Sequence, residues 1–322
     1  MGASLTRASA GARLRQNGAM SIWVCGEVLI DMIPVAPGSQ DRTPHVGGGP
    51  ANTAKALARL GHEVFFIDGI STDQYGVAAR KELLDDEVKL DLAKTSDLPT
   101  CRAIVSLDEK GGASYIFEIA GTATFDFSLD WLPDPSRYKP QVLHIGTLVT
   151  IIQPSADVLY DWALNVAEFA PIVFDPNIRP SVMGDRDQYE AAVEKWAAIS
   201  SVIKVSDDDL AWLFPGQALE DIANRWVRDG AALVVITRGA NGIIGFTQDG
   251  SVEVPGEKIV VADTVGAGDT VGAIIVEAMV EKGIMALTGE VLTATLARAA
   301  YAAGITCSRK GAEPPYKHEL KK

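Results

Sequence analysis

Asp263 to Asp269 reads D-T-V-G-A-G-D and brings an anion trap and a base together in one short stretch. Gly266, Ala267 and Gly268 are small enough for a ligand to approach the backbone. Their N–H groups, opening a helix, would favour phosphate oxygens through unpaired donors and the positive end of the dipole. Asp269 would stand in the first turn of that helix, where its carboxylate can take the proton of a substrate hydroxyl lying beside the same phosphate. Together these features point to phosphoryl transfer to an alcohol. The same residues would also serve a bare strand-to-helix turn with an acidic side chain complementing the dipole. A β run from Lys258 to Val261 is expected before the motif, and a long helix from about Ala267 after it.

Gly47 to Leu60 supplies a second glycine-rich stretch, G-G-G-P-A-N-T-A-K-A-L-A-R-L. Pro50 suits a helix start, and Ala and Leu then recur at helical spacing. Asn52 would lie in the first turn, its amide able both to donate to and to accept from sugar hydroxyls. G-G-x-P-x-N-x-A early in the chain and D-T-x-G-A-G-D late resemble the two signature motifs of the ribokinase-like (PfkB) carbohydrate kinases. The likeness runs from Ser21 to Lys317. It implies a Rossmann-like three-layer αβα sandwich with a small β-sheet lid, an α/β fold. It also implies a chemistry in which Asp269 is the base and the Gly266, Ala267 and Gly268 amides hold the transferring phosphoryl of MgATP. Sugar contacts are implied for Asp31, Gly48, Gly49, Asn52 and Arg179, and ATP contacts for Lys204, Ser206, Thr237, Gly239, Gly242 and Gly268.

The elements that must position these residues show as periodicity. Ile22 to Ile30 is an apolar β run leading to Asp31, and ligands of an α/β sheet gather at the carboxyl ends of strands. A turn carboxylate would look the same. G-E-V-L-I-D-M-I-P resembles the fructokinase branch, whose corresponding Asp hydrogen-bonds sugar hydroxyls. Met32 to His45 carries Pro, Gly and polar residues. Glu63 to Asp68 reads as a strand, and Asp73 as the cap of a helix reaching about Leu84. Cys101 to Leu107 and Ala113 to Ile119 alternate around Asp108-Glu109-Lys110-Gly111-Gly112 as a hairpin. By the resemblance, segments of about 32–46 and 99–124 form the lid, whose closure would exclude water. F-E-I-A-G-T-A-T departs from the usual fructokinase stretch, in which G-T-A is generally followed by Asp rather than Thr124.

Gln141 to Gly146, Ile172 to Phe174 and Val202 to Val205 are short buried strands separated by helices, Pro154 to Phe169 and Asp187 to Ile199. That alternation predicts a largely parallel sheet covered on both faces. Arg179, in D-P-N-I-R-P, could bind a phosphate or a sugar hydroxyl, or make a surface ion pair. Lys204 to Leu210, K-V-S-D-D-D-L, offers clustered carboxylates for magnesium, while capping by Ser206 or Asp207 explains the same residues. It resembles the family's N-x-x-E motif with Ser206 and Asp209 substituted, so Asp209 would act on Mg²⁺ indirectly. T-R-G-A-N-G, with Thr237, Gly239 and Gly242, resembles a nucleotide-binding turn, though a plain hairpin would read alike. Leu292 to Gly304 is an Ala-rich helix expected over the adenine, with Ala300 where the family often has Asn. Ser308 to Pro315, through Gly311, resembles the loop that encloses a monovalent cation, K⁺, with Asp263 and Val265.

Composition bounds the rest. A chain of 322 residues, 47% hydrophobic, can bury one large α/β domain. A net charge of −13 disfavours nucleic acid and anionic membranes. No apolar run is long enough to span a bilayer, so a soluble, cytoplasmic protein is expected. The three cysteines, Cys25, Cys101 and Cys307, are too dispersed for a disulfide framework or zinc site, and the four histidines lack metal-binding spacing. No P-loop lysine motif occurs. Residues 1–20, with Arg7, Arg13 and Arg15 and no acid, read as a flexible leader, either a transit peptide or a tail ahead of Met20. Residues 21–322 form the kinase domain. The expected activity is an ATP-dependent sugar kinase, foremost a fructokinase, then a 2-keto-3-deoxygluconate kinase, then a ribokinase or nucleoside kinase. A non-catalytic sugar sensor is the rival from another class, and a homodimer through the lid is the expected assembly.

Overall fold

The computed structural model describes residues 21–36, 38–107 and 113–320; the expected leader and the hairpin turn 108–112 lie outside them. The strands are β1 (Ile22–Cys25), β2 (Leu29–Pro34), β3 (Arg42–Gly47), β4 (Val64–Ile67), β5 (Gly69–Ser71), β6 (Lys94–Ser96) and β7 (Arg102–Leu107). They continue with β8 (Ala113–Glu118), β9 (Val142–Gly146), β10 (Ile172–Asp175), β11 (Val202–Ser206), β12 (Leu233–Thr237), β13 (Ile243–Thr247) and β14 (Gly250–Val254). The helices are α1 (Gly49–Arg59), α2 (Gln74–Asp85), α3 (Pro135–Tyr138), α4 (Ser155–Ala167), α5 (Arg186–Ala197), α6 (Asp207–Leu213), α7 (Leu219–Asp229), α8 (Ala267–Lys282) and α9 (Gly289–Cys307).

An eight-stranded sheet, ordered β14-β13-β12-β11-β10-β9-β1-β4, forms the middle layer. From β12 to β4 its strands run parallel, and β13 and β14 add an antiparallel edge. The parallel strands are apolar along their length because both faces are covered. Trp23 and Cys25 of β1 enter a core shared with Trp162 of α4, Trp196 of α5 and Trp226 of α7. Ile22 and Val24 enter the opposite core, with Leu57 of α1, Leu83 of α2, Ile275 of α8 and Leu296 of α9. Three layers follow, as the alternating pattern requires.

A second sheet, ordered β3-β2-β7-β8, holds the segments expected to form the lid. It corrects the first strand assignment, because the apolar run Ile22 to Ile30 is divided between two sheets. Gly26, at φ 146°, turns the chain between them, and a Cβ there would stand 2.3 Å from Pro50 Cγ. Hydrophobicity alone could not mark the break, since both halves are buried. Asp31 therefore lies within lid strand β2, opposite His45 and Ala103, rather than at the end of a central strand. Lys258 to Val261 is also corrected. It pairs with no strand, and Val260 is 90% exposed. Pro255 and Gly256 follow the edge strand β14, and the N–H groups of Ala262 and Asp263 turn instead to the Cys307 carbonyl that ends α9.

Candidate active site

The amino terminus of α8 holds the residues expected to form the anion trap. Its N-cap, Gly266, has φ 79°, a left-handed conformation open chiefly to glycine, and no side chain caps the helix. A Cβ on Gly268 would fall 2.7 Å from Lys204 Nζ, so the helix end and that ammonium lie close together. Lys204, on β11, pairs with Asp175 at the end of β10 at 2.8 Å, and both are buried. Burial opposes the ammonium's charge, but Asp175 and Asp269 outweigh it and hold the Lys204 pKa above its ordinary value. His144, on β9, is buried beside this pair and pulled down to about 4 by desolvation, so it stays neutral.

Asp269 occupies the first turn of α8 and is 8% exposed. Its Oδ2 accepts from Asn52 Nδ2 at 2.8 Å. Asn52 thus reaches Asp269 directly, a link between α1 and α8 where the sequence reading gave Asn52 only as a sugar contact. Desolvation raises the Asp269 pKa to about 6, against the pull of Lys204, Asn52 and Arg179. The other oxygen, Oδ1, lies 3.1 Å from where a Cβ on Gly49 would be, and Asn177 Nδ2 and Thr147 Cγ2 close on the same point at 2.9 and 3.1 Å. The bare α-carbon of Gly49 leaves room at the spot where these side chains converge. Gly48, at φ 112°, sits against the Glu27 carbonyl.

Asp31 enters from the lid. Burial raises its pKa to about 6, while Arg179 and His45 pull it down. Arg179 lies within electrostatic reach of both Asp31 and Asp269. Its Nη1 donates to the Ile178 carbonyl at 3.0 Å and the Asn177 carbonyl at 3.3 Å, and its N–H donates to the Tyr189 hydroxyl at 2.9 Å. The fold therefore brings Asp31 and Asp269 within electrostatic reach of the one guanidinium, with Asn52 and Gly49 against Asp269.

Sequence reasoning missed Tyr115. Strand register puts it, with Phe117, on the lid face that carries Asp31, and the two rings stack at 6.1 Å. Burial and Asp31 raise the Tyr115 hydroxyl pKa. The period-two alternation of β8, read together with that of β2, was the signal that could have found it.

On the nucleotide side the expected residues divide. Ser206 and Asp209 form a capping box on α6, and Asp209 Oδ1 also accepts from Ile178 N–H at 3.1 Å. Capping thus accounts for the acidic run, and Asp209 brackets the loop that carries Arg179. The Thr237 hydroxyl donates to the Val205 carbonyl at 3.4 Å. Gly242 is explained by its own hairpin, since a Cβ there would meet the Val254 carbonyl at 2.0 Å, whereas Gly239 faces open space. Ala300, where the family often has Asn, is packed into the core. Val260, Val261 and Val265 are exposed. Asp263 accepts from Val265 N–H at 3.1 Å and Gly311 N–H at 2.9 Å, bringing the two expected cation loops together.

The three cysteines are free. His62, Glu277 and Glu281 do cluster in a way the spacing of histidines did not suggest. Arg298, however, donates to both Glu277 oxygens at 3.0 and 3.3 Å and already supplies the positive charge there. Among the described residues no helix is long and apolar enough to cross a membrane.

A family model described as pfkB family carbohydrate kinase matches residues 20–319. A fructokinase of Rhizobium leguminosarum bv. trifolii is 37% identical over 254 residues, 78% of this chain and 77% of that protein. Among solved structures, a fructokinase with bound ATP from Xylella fastidiosa superposes with a TM-score of 0.85 at 24% identity, over 93% of this chain and 96% of the other. A fructokinase double mutant from Vibrio cholerae O395, in a fructose, ADP and potassium ion bound form, gives 0.82 at 25% identity, over 94% and 97%.

Proposed function

The chain belongs to the pfkB family of carbohydrate kinases, and from that premise we propose that it is a fructokinase, transferring the γ-phosphoryl of ATP to a primary hydroxyl of D-fructose. The observation that carries the mechanism is the division of labour on Asp269. Asn52 occupies Oδ2, which leaves Oδ1, facing Gly49 and Asn177, as the basic atom. In this reading the hydroxyl gives its proton to Oδ1 as its oxygen bonds to the γ-phosphorus, and the bond to the β,γ-bridging oxygen breaks to release ADP. The N–H groups of Gly266, Ala267 and Gly268, with the Lys204 ammonium behind them, would face the charge on the transferring group. Mg²⁺, when bound with the nucleotide, would neutralise its phosphates. Asp209 could act on it only through water, because its carboxylate already braces backbone N–H groups. K⁺ would sit by Asp263, Val265 and Gly311.

Fructose is favoured over a ketoacid on charge. Lys204 is committed to Asp175, and Arg179 spends donors on its own loop and stands near Asp31. A substrate carboxylate would find only Arg179 among these candidates, with the Asp31 and Asp269 carboxylates within electrostatic reach of the same guanidinium, whereas carboxylate, amide and guanidinium together suit neutral hydroxyls. The outer lid face, with Ile116 69% exposed, supports a homodimer through the lid, to be checked by sedimentation. We place the enzyme in the cytoplasm. The test of the substrate is kcat/KM for fructose, 2-keto-3-deoxygluconate, ribose, mannose and adenosine at saturating MgATP, followed by ADP release. Fructose should lead; a clear preference for the ketoacid would overturn the sugar and leave the kinase chemistry standing.

A further inference from the structure

Two buried carboxyls stand at the root of the lid, outside the chemistry just described. Glu27 lies between β1 and β2, and Asp68, at 0% exposure, follows β4. Asp68 Oδ2 accepts from Val28 N–H at 2.9 Å and from the Thr124 hydroxyl at 3.2 Å, and Oδ1 accepts from Gly69 N–H at 2.7 Å. Val28 is the last residue before lid strand β2. Thr124 lies in the 3-10 turn Ala123–Phe125, where the chain returns from lid strand β8. The segment leaving for the lid and the segment coming back therefore meet on one carboxyl.

The junction is tight. A Cβ on Gly69 would meet the Ala123 carbonyl at 2.0 Å, and Ala123 N–H donates to Pro99 O at 2.9 Å just ahead of β7. Ile30 N–H donates to Cys101 O at 3.0 Å, joining β2 to the start of β7. Glu27 extends the junction to the cleft floor, where its Oε1 accepts from the Thr147 hydroxyl beside Gly49. None of the groups that shape the titration of Asp68 is a cation; burial and Glu27 raise its pKa against the pull of its hydrogen bonds. A carboxyl buried without a counter-charge is a costly way to fill a core. Its three donors explain what that cost secures, which is the origin of the lid.

We propose that Asp68 is a positioning residue for the sugar: it fixes where the lid springs from the central sheet and so sets where Asp31, on β2 just beyond Val28, stands over the cleft. The proposal rests on the sugar-kinase reading for its kinetic consequence, but not for its structural one.

Asp68→Asn keeps the shape and one acceptor, and turns a donor toward a group that itself donates. The KM for fructose should rise about 10-fold, since small misplacements of positioning groups have large effects, while the KM for MgATP stays within about twofold. ATP hydrolysis without sugar should rise relative to fructose phosphorylation, because a poorly seated lid admits water. Thr124→Val removes only the returning tie and should move the same quantities by about threefold, a weaker hydrogen bond being lost; it also decides the matter if Asp68→Asn fails to fold. Hydrogen exchange supplies a readout that needs no sugar, with amides of β2 and β7 exchanging faster in the variants and those of β9 and β10 unchanged. A folded variant with fructose KM and hydrolysis ratio within about twofold of wild type, or with lid exchange unaltered, overturns the proposal. A wild-type enzyme inactive on every sugar would instead overturn the substrate reading, and lid exchange would still decide the role of Asp68.

Discussion

Around Asp269 the partners are buried and braced from below: Asn52 from α1, Lys204 from β11 and Asp175 from β10, all rooted in the central sheet or the helices packed on it. Around Asp31 the support is thinner. Its strand belongs to a four-stranded sheet whose outer face leaves Ile116 exposed, and its strongest electrostatic partner, Arg179, arrives from a separate loop. The two carboxylates share burial as the main cause of a pKa raised to about 6, yet one sits on the central layer and the other in the smaller sheet. The expectation is that phosphoryl transfer depends on the central layer and sugar choice on the smaller sheet. Substitutions should then divide by which kinetic constant they move.

The largest effect should come from Asp269→Asn. The amide oxygen can still accept from Asn52, so the fold and both binding steps should survive, while kcat falls by roughly 10² to 10⁴, the usual contribution of a positioned base. Steady-state kinetics beside circular dichroism checks this. Activity within about tenfold of wild type would remove the distinction between the two sheets. Asp31→Ala should act in the opposite constant, raising the fructose KM by about 10- to 100-fold, the range for losing a hydrogen bond to a charged group, with the KM for MgATP little changed. A matching rise in both would show that the lid strand props the whole cleft.

Protonation sharpens the comparison further. Both carboxylates must be charged to accept from sugar hydroxyls, and both hold protons to higher pH than an ordinary carboxylate. Activity should therefore be lost as pH falls through about 6 rather than about 4. With two groups on the same limb, log kcat/KM should steepen toward a slope of two, and Asp31→Asn should return it toward one at reduced activity. A wild-type limb near 4 would mean that bound substrate or solvent cancels the desolvation seen at both sites.

How much of this was legible follows the same division. D-T-V-G-A-G-D and G-G-G-P-A-N announce their geometry locally, because left-handed Gly266 and the helix starts at Gly49 and Ala267 depend on neighbouring residues. The parallel strands announced themselves by continuous apolar character. What stayed hidden was pairing at long range. The Asn52 to Asp269 hydrogen bond joins residues 217 positions apart, and Asp68 to Val28 and Thr124 joins three segments. Periodicity also misled where a β-branched run had no strand to meet. Ile259, Val260 and Val261 read as a strand, yet they lie beyond Pro255 with nothing at the sheet edge to pair with, and Val260 and Val261 remain exposed.

The smallest expected effect tests the central-layer side at its rim. Asp263 ties its own loop to Gly311 by accepting one N–H on each carboxylate oxygen, which shapes the turn. A cation placed there would be held mainly by backbone carbonyls from two loops, and carbonyl oxygens at fixed spacing discriminate ions by size. Because such an ion would lie beside the trap rather than in it, it should tune the helix end instead of creating it. Potassium should thus raise kcat over sodium or lithium by about fivefold, the low end of typical coupling between sites, and Asp263→Ala should abolish the difference while leaving the fructose KM near wild type. Equal rates in the three chloride salts would indicate that the hydrogen bonds of Asp263 alone are enough to set the loop, and that the anion trap is finished by the protein without an ion.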